Sequence, residues 1–186
     1  MLFVMVRRLR YRVEIAGSDM VSSLKDYLGL LGADYNVFIG CKPYIYWIGD
    51  LGIMSCRGFG ARYERVSVVY SGECIGFIID GKPYLSTQLY EEIYRYIGGY
   101  RAALIASEHG VKAFLYGNDL FASSIKEYYE PLDNPVAVID PLDNRVVGVA
   151  EPILHGENLF KALRESMEKP VYRNIYDLGL YIRLFE

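Results

Sequence analysis

Two phrases in the middle of the chain repeat ten residues apart. Pro131-Leu132-Asp133-Asn134 runs into Val136 to Ile139, and Pro141-Leu142-Asp143-Asn144 runs into Val146 to Ala150. Proline presets φ for turn entry, Asp and Asn bond back to their own backbone, and a β-branched run suits a buried strand. Each phrase is therefore a turn followed by a strand, and the pair predicts a hairpin. Upstream, Val111, Phe114 and Leu115 have the i, i+3, i+4 spacing of one helical turn, and Gly117-Asn118 tolerates the positive φ that ends helices. The stretch from Val111 to Ala150 thus predicts a helix stopping at Tyr116, a crossing strand over Ile125 to Tyr129, and the hairpin.

With 186 residues, 52% of them apolar, the chain has material for one large or two small cored domains. A net charge of −3 excludes a protein that coats nucleic acid through bulk charge, so any RNA contact must be a local patch. The apolar start, Met1 to Val6, is too short to span a bilayer, and Arg7-Arg8 follow it where a secretory signal would have them first. A cytoplasmic protein without membrane partners is expected. Cys41, Cys56 and Cys74 are widely spaced with no Cys-x-x-Cys, which argues against a metal site and for core thiols. The single glutamine resembles thermophile usage.

Along the chain, Leu9, Tyr11, Val13 and Ile15 alternate with Arg8, Arg10, Arg12 and Glu14, the period of a half-buried strand. The arginines fit either an anionic partner or a solvated strand face. Met20, Leu24, Leu28 and Leu31 mark a helix capped by Ser18 or Asp19 and stopped at Gly32. Strands are predicted over Tyr35 to Ile39, Tyr44 to Ile48, Val66 to Tyr70 and Cys74 to Ile79, with a tight turn at Asp80-Gly81. The glycine-broken segment Gly49 to Glu64, which carries Arg57 and Arg62, is a loop that is either inert or touches RNA or a partner. Ser86 caps a helix bearing Leu89, Ile93 and Ile97, and Gly98-Gly99 ends it. The domain boundary is expected there, giving domains of residues 1–99 and 100–186. Tyr90, Tyr94, Tyr96 and Tyr100 crowd that helix end, either to stack on bases or to fill a seam between the domains. Leu159, Phe160, Leu163 and Met167 mark a helix over Glu157 to Glu168, followed by a strand over Val171 to Tyr176 and a closing helix over Asp177 to Arg183.

The words Phe114-Leu115-Tyr116-Gly117-Asn118 and Val136-Ala137-Val138-Ile139-Asp140, in this order, resemble the PUA domain, a small β pseudo-barrel. That resemblance covers about Arg101 to Arg183. Gly72 to Gly76, Lys82 to Leu85, Phe114 to Asn118 and Tyr176 to Arg183 also follow the order seen in the PUA-containing ribosome-biogenesis factors of archaea and eukaryotes. The match runs from Val66 onward. It implies an α+β chain, with an α/β amino-terminal (pre-PUA-like) domain followed by a carboxy-terminal PUA-like pseudo-barrel with flanking helices. It also implies a non-enzyme without cofactor, whose PUA half binds RNA during large-subunit maturation, with ribosomal RNA and ribosome-assembly proteins as partners.

Carried onto this chain, the family's RNA face maps to Tyr116, Gly117 and Asn118, to Lys169 and Arg173, and to Arg183, with Ser123 and Ser124 where RNA-gripping PUA domains commonly carry a glycine. The residues themselves suit that chemistry. A left-handed glycine lets a phosphodiester approach the backbone, Asn118 offers an amide to a base edge, Lys112 and Arg173 neutralise phosphate, and Tyr116 gives a stacking face. The same Gly-Asn pair reads equally as a plain helix stop. Two other functions stay open: a protein-interaction adaptor with weak RNA affinity, and an accessory subunit of an RNA-modification enzyme. Against catalysis, His109 and His155 are the only histidines and neither adjoins a Ser or Cys nucleophile, while Asp133, Asp140 and Asp143 are accounted for by turns.

Overall fold

The computed structural model describes residues 11–56 and 73–179. The chain divides into two compact units, residues 1–27 with 34–86 and residues 28–33 with 87–186. The division at Ser86/Thr87 precedes the Gly98-Gly99 boundary expected from sequence, and the helix before those glycines groups with the second unit.

In the first unit, strands β1 (Tyr11–Ile15), β2 (Tyr44–Ile48), β3 (Leu51–Ser55), β4 (Cys74–Ile79) and β5 (Lys82–Leu85) form one sheet in sequence order, every pair antiparallel. Ile45, Met54, Ile78 and Leu85 are buried in its core, each contributing about 1.5–3 kcal/mol of apolar burial. Helix α1 (Ser18–Leu30), whose residues from Leu28 onward group with the second unit, buries Leu24 and Leu28 as its spacing requires, and Gly32 stops it at φ 77°. Asp80 and Gly81 both have positive φ, the conformation of the tight hairpin expected there.

Three expectations in this unit are corrected. Tyr35–Phe38 is a helical turn, α2, and no strand, because the Asp34 carboxylate accepts from the Asn36 and Val37 amides and fixes the turn. The first part of the glycine-broken segment is strand β3. Gly52 fits there because a Cβ would stand 3.0 Å from the Ile78 Cβ across the sheet, tighter than ordinary packing. Cys41 and Cys56 are joined as a disulfide, and only Cys74 is free. Burial pushes the Cys74 thiol up to about 11. Of the amino-terminal arginines, Arg12 pairs with Glu14 at 3.5 Å and lies over the Trp47 ring, and Trp47 in turn donates to Glu14. Arg8, Arg10, Arg57, Arg62, the strand expected over Val66 to Tyr70, Arg183 and most of the closing helix fall outside the described residues.

The second unit holds a curled, half-barrel sheet. Its strands are β6 (Ala103–Ala106), β7 (Leu120–Phe121), β8 (Ile125–Tyr129), β9 (Val136–Ile139), β10 (Val146–Pro152) and β11 (Pro170–Asp177), in the order β7-β11-β10-β9-β6-β8. Only β6 and β9 run parallel. The two repeated phrases are the turns before β9 and β10, and all four residues of β9 are buried, as a fully packed strand requires. Helices α3 (Thr87–Ile97), α4 (Glu108–Leu115) and α5 (Gly156–Arg164) belong to the same unit.

Helix α5 ends at Arg164, short of Glu168. Ser166 takes φ 45° while its amide and that of Met167 close back onto Leu163 and Ala162, a glycine-type stop made by serine. Pro170 therefore opens β11 and does not end the helix. Of the tyrosines at the end of α3, Tyr90, Tyr94 and Tyr100 form a chain of ring contacts within this unit, with ring centres of Tyr94 and Tyr100 5.2 Å apart and those of Tyr100 and Tyr129 5.3 Å apart, while Tyr96 is exposed. No described helix is long and apolar enough to cross a membrane.

Candidate nucleic-acid interface

Helix α4 is capped at one end by Ser107, whose hydroxyl accepts from the Gly110 amide at 3.1 Å. At the other end Gly117, at φ 87°, turns the chain so that its amide meets the Phe114 carbonyl and the Asn118 amide meets Ala113. This is the paired closure that a left-handed glycine makes possible. The Asn118 side chain adds a second donor to Ala113, at 3.0 Å. Tyr116, the cap residue, is 82% exposed, and Lys112 lies one turn before it on the same stripe of the helix. Ring, cation and an exposed left-handed glycine thus share one helix end.

Beneath that end lies β11. The Asn174 amide group donates to the Phe114 carbonyl at 2.7 Å and to the Asp177 carboxylate at 3.1 Å, and the Asn174 backbone N–H donates to Asp119 at 2.9 Å. Gly148 of β10 completes the seat, since a Cβ there would stand 2.8 Å from the Phe114 ring. Arg173, adjacent to Asn174, is exposed and makes no ion pair with any described residue, although Glu151 is its cross-strand neighbour.

The remaining expected residues gather elsewhere on α4. Ser123 and Ser124 form a 3-10 turn (Ala122–Ser124) beside the helix start: the Ser124 carbonyl accepts from Ser107 at 2.7 Å, and a Cβ on Gly110 would lie 2.9 Å from the Ser124 Cβ. The amides of Ala122 and Ser123 donate to the Lys169 and Met167 carbonyls, which brings Lys169 to this turn. The structure thus sorts the predicted residues into two groups, Tyr116, Gly117, Asn118 and Arg173 at the end of α4, and Ser123, Ser124 and Lys169 at its start. Lys112, in the last turn of α4, goes with the first group.

Sequence reasoning missed Asp119, Asn174 and Asp177, which tie the end of α4 to β11. Asp177 is buried, and its other oxygen accepts from Gly179 at 2.7 Å. Tyr172 donates to the Leu132 carbonyl at 3.1 Å, and burial, then the Asp133 carboxylate, push its pKa well above the ordinary phenol range. Among the described residues, no group of three His, Cys, Asp or Glu is placed to hold a metal ion.

No curated protein matches the chain. Among solved structures, it is similar to a conserved PUA domain protein of Thermoplasma acidophilum, at 15% identity and TM-score 0.61 over 94% of this chain and 100% of that one. A hypothetical protein of the hyperthermophilic archaeon Pyrococcus horikoshii aligns at 11% identity and TM-score 0.65, covering 89% and 94% of the two chains. A PUA domain of Aeropyrum pernix, solved as a tartrate complex, aligns at 14% identity and TM-score 0.61, covering 91% and 88%. At these identities the likeness establishes fold. The family model described as the UPF0113 PUA domain matches residues 102–186, the stretch that carries all six strands of the half-barrel and the helix end just described.

Proposed function

We propose that the chain is a non-catalytic, cytoplasmic RNA-binding protein that acts in large-subunit ribosome maturation and holds RNA at the end of α4. The observation that carries this reading is the conjunction at one helix end of an exposed ring, Tyr116, an exposed left-handed glycine, Gly117, and Lys112, which has no ion-pair partner among the described residues. Arg173 supplies a second cation nearby. The maturation role is supported by the order of segments from Gly72 to Arg183, which resembles the biogenesis factors. The non-catalytic reading is supported by His155, whose Nδ1 lies 3.4 Å from Asp133 while Asp133 also accepts the Gly156 amide, a helix-start arrangement.

A net charge of −3 and the placement of Glu151 across from Arg173 favour a second reading, a protein adaptor with weak RNA affinity. Anisotropy titrations of a single-stranded ribosomal RNA fragment at several salt concentrations separate the two. RNA held by a few local contacts gives a logarithmic salt slope of roughly −2 to −3, at about 0.7 per phosphate. Lys112→Ala and Arg173→Ala each lower that slope by somewhat under one and weaken all sequences alike, whereas Asn118→Ala changes sequence preference. Folded Lys112 and Arg173 variants that bind as tightly as wild type would leave the adaptor reading in place. A robust RNA-modifying turnover lost on changing His109, His155 or Asp140 would overturn the non-catalytic reading.

A further inference from the structure

A different part of the second unit carries a built groove. Its walls are the end of α3 and the turn from Asp140 to Arg145 that joins β9 to β10, and the cavity measures about 460 Å³, within the range of small-ligand sites. The turn is held by its own bonds: Asp140 accepts from the Leu142 amide, Asp143 accepts from the Arg145 amide, and Asn144 takes φ 60° with its amide on the Asp140 carbonyl. Glu91 clamps this turn to α3. One of its oxygens pairs with Arg145 at 3.0 Å and the other accepts from the Val146 amide at 3.2 Å.

The clamp has a chemical consequence. The ion pair balances Glu91 against Arg145, whose guanidinium stays 64% exposed with donors left over, so the charged residues of the cavity wall sum to the single positive charge of Arg95. Arg95, one turn after Glu91 on α3, lines the same cavity, is exposed and has no ion-pair partner among the described residues. Tyr100 puts a ring in the wall, fixed by its edge contacts with Tyr94 and Tyr129. Gly98 and Gly99 line the same cavity and have nothing within 4 Å of where a Cβ would stand, so that part of the wall is open, and Asn144 adds an amide.

We propose that this groove binds one nucleotide unit, with Arg95 and Arg145 on the phosphate, Tyr100 against the base and the Asn144 amide on a base edge. Two guanidiniums beside an aromatic ring and an amide are the complement of a phosphate carrying a heteroaromatic base. The adjoining cavity of about 560 Å³ shares Glu91, Arg95 and Arg145 but adds Glu92 and Asp143 to its wall, and those carboxylates keep a second phosphate out. The groove is therefore a one-nucleotide site, separate from the end of α4, and it does not rest on RNA binding there.

Amide-resolved NMR titration of the full chain with uridine monophosphate, and in separate arms with uridine and inorganic phosphate, tests the assignment. The expected result is saturable shifts at Gly98, Gly99, Asn144 and Arg145 with the nucleotide, and binding weaker by about tenfold or more with either fragment alone, the loss of one charge-assisted or stacking contact. Arg95→Gln, an exposed change, is expected to weaken the nucleotide by about tenfold at unchanged melting temperature, and Asn144→Gly keeps the turn while removing the amide. Unmoved groove amides, equal affinity in Arg95→Gln, or phosphate alone binding as tightly as the nucleotide would each overturn it. A Lys112→Ala control distinguishes this site from the α4 face, because it leaves groove binding unchanged whether or not RNA is held at Gly117.

Discussion

The side-chain amide of Asn174 donates to the main-chain carbonyl of Phe114 at 2.7 Å, joining β11 to the last turn of α4. The same amide reaches the buried Asp177 carboxylate at 3.1 Å. Asn174→Ala strips a donor from a buried charged acceptor and is expected to cost about 2–3 kcal/mol in denaturant unfolding. Asn118→Ala removes one exposed bond to Ala113 and is expected to cost under about 1 kcal/mol. Equal losses in the two variants would show that the amide of Asn174 does not anchor the helix end.

Gly117→Val tests the helix stop. A β-branched side chain at φ 87° adopts a conformation that costs L-residues about 1–2 kcal/mol, and the branch adds to it. Melting is expected to fall by several degrees, and RNA binding is expected to fall further than stability accounts for, because the branch also stands where a phosphodiester would approach. An unchanged melting temperature would mean that the chain relaxes into a different helix end.

How much of this was legible beforehand depends on the range over which the deciding contact acts. Gly117, the hairpin of repeated turn-and-strand phrases, and the stripe of Leu24 and Leu28 are set by neighbours within a few residues, and the pattern displays them directly. Tyr35–Phe38 reads as a strand by its aromatic and β-branched content, yet one carboxylate at Asp34 is enough to make it helical. Strand β3 was hidden because Gly52 looks like a breaker, when its function is to admit the Ile78 side chain from the next strand. Asp119, Asn174 and Asp177 meet partners that no spacing rule connects, and they were therefore invisible. Cys41 and Cys56 likewise give no local sign that their Cα atoms lie 5.7 Å apart.

That disulfide closes a loop with a sequence separation of 15 residues. Restricting a loop of this size in the unfolded chain stabilises the fold by about 3 kcal/mol in the chain-entropy account. Cys41→Ser is accordingly expected to lower the denaturant midpoint by an equivalent amount, and a reductant is expected to do the same to wild type and nothing to the variant. A reductant that also shifts the variant would point to a different cause.

Alkaline titration gives an independent test of burial. Cys74 is held at about 11 against an ordinary 9.0, and Tyr172 is raised by burial and by Asp133, so both groups resist ionisation only when folded. Their contribution is fully present below the unfolded pKa of each and is lost as pH rises through the folded one. Melting temperature is therefore expected to hold to about pH 8 and then decline, with the Cys74 part lost between about 9 and 11. Tyr172→Phe lowers stability at neutral pH by about 1 kcal/mol through the lost bond to Leu132, and flattens the alkaline decline. A decline of the same steepness in that variant would assign it to other groups.

The six-stranded sheet has two outer strands, and neither invites company. On one side β7 is only two residues long, Leu120 and Phe121, and is partnered by a strand that opens on a proline. On the other, β8 exposes Lys126 and Glu127 along its length. Short and charged borders are how natural sheets avoid templating foreign strands. Borders of this kind disfavour edge-to-edge pairing with other copies of the chain, and leave side chains and helix ends as the surfaces open to a partner.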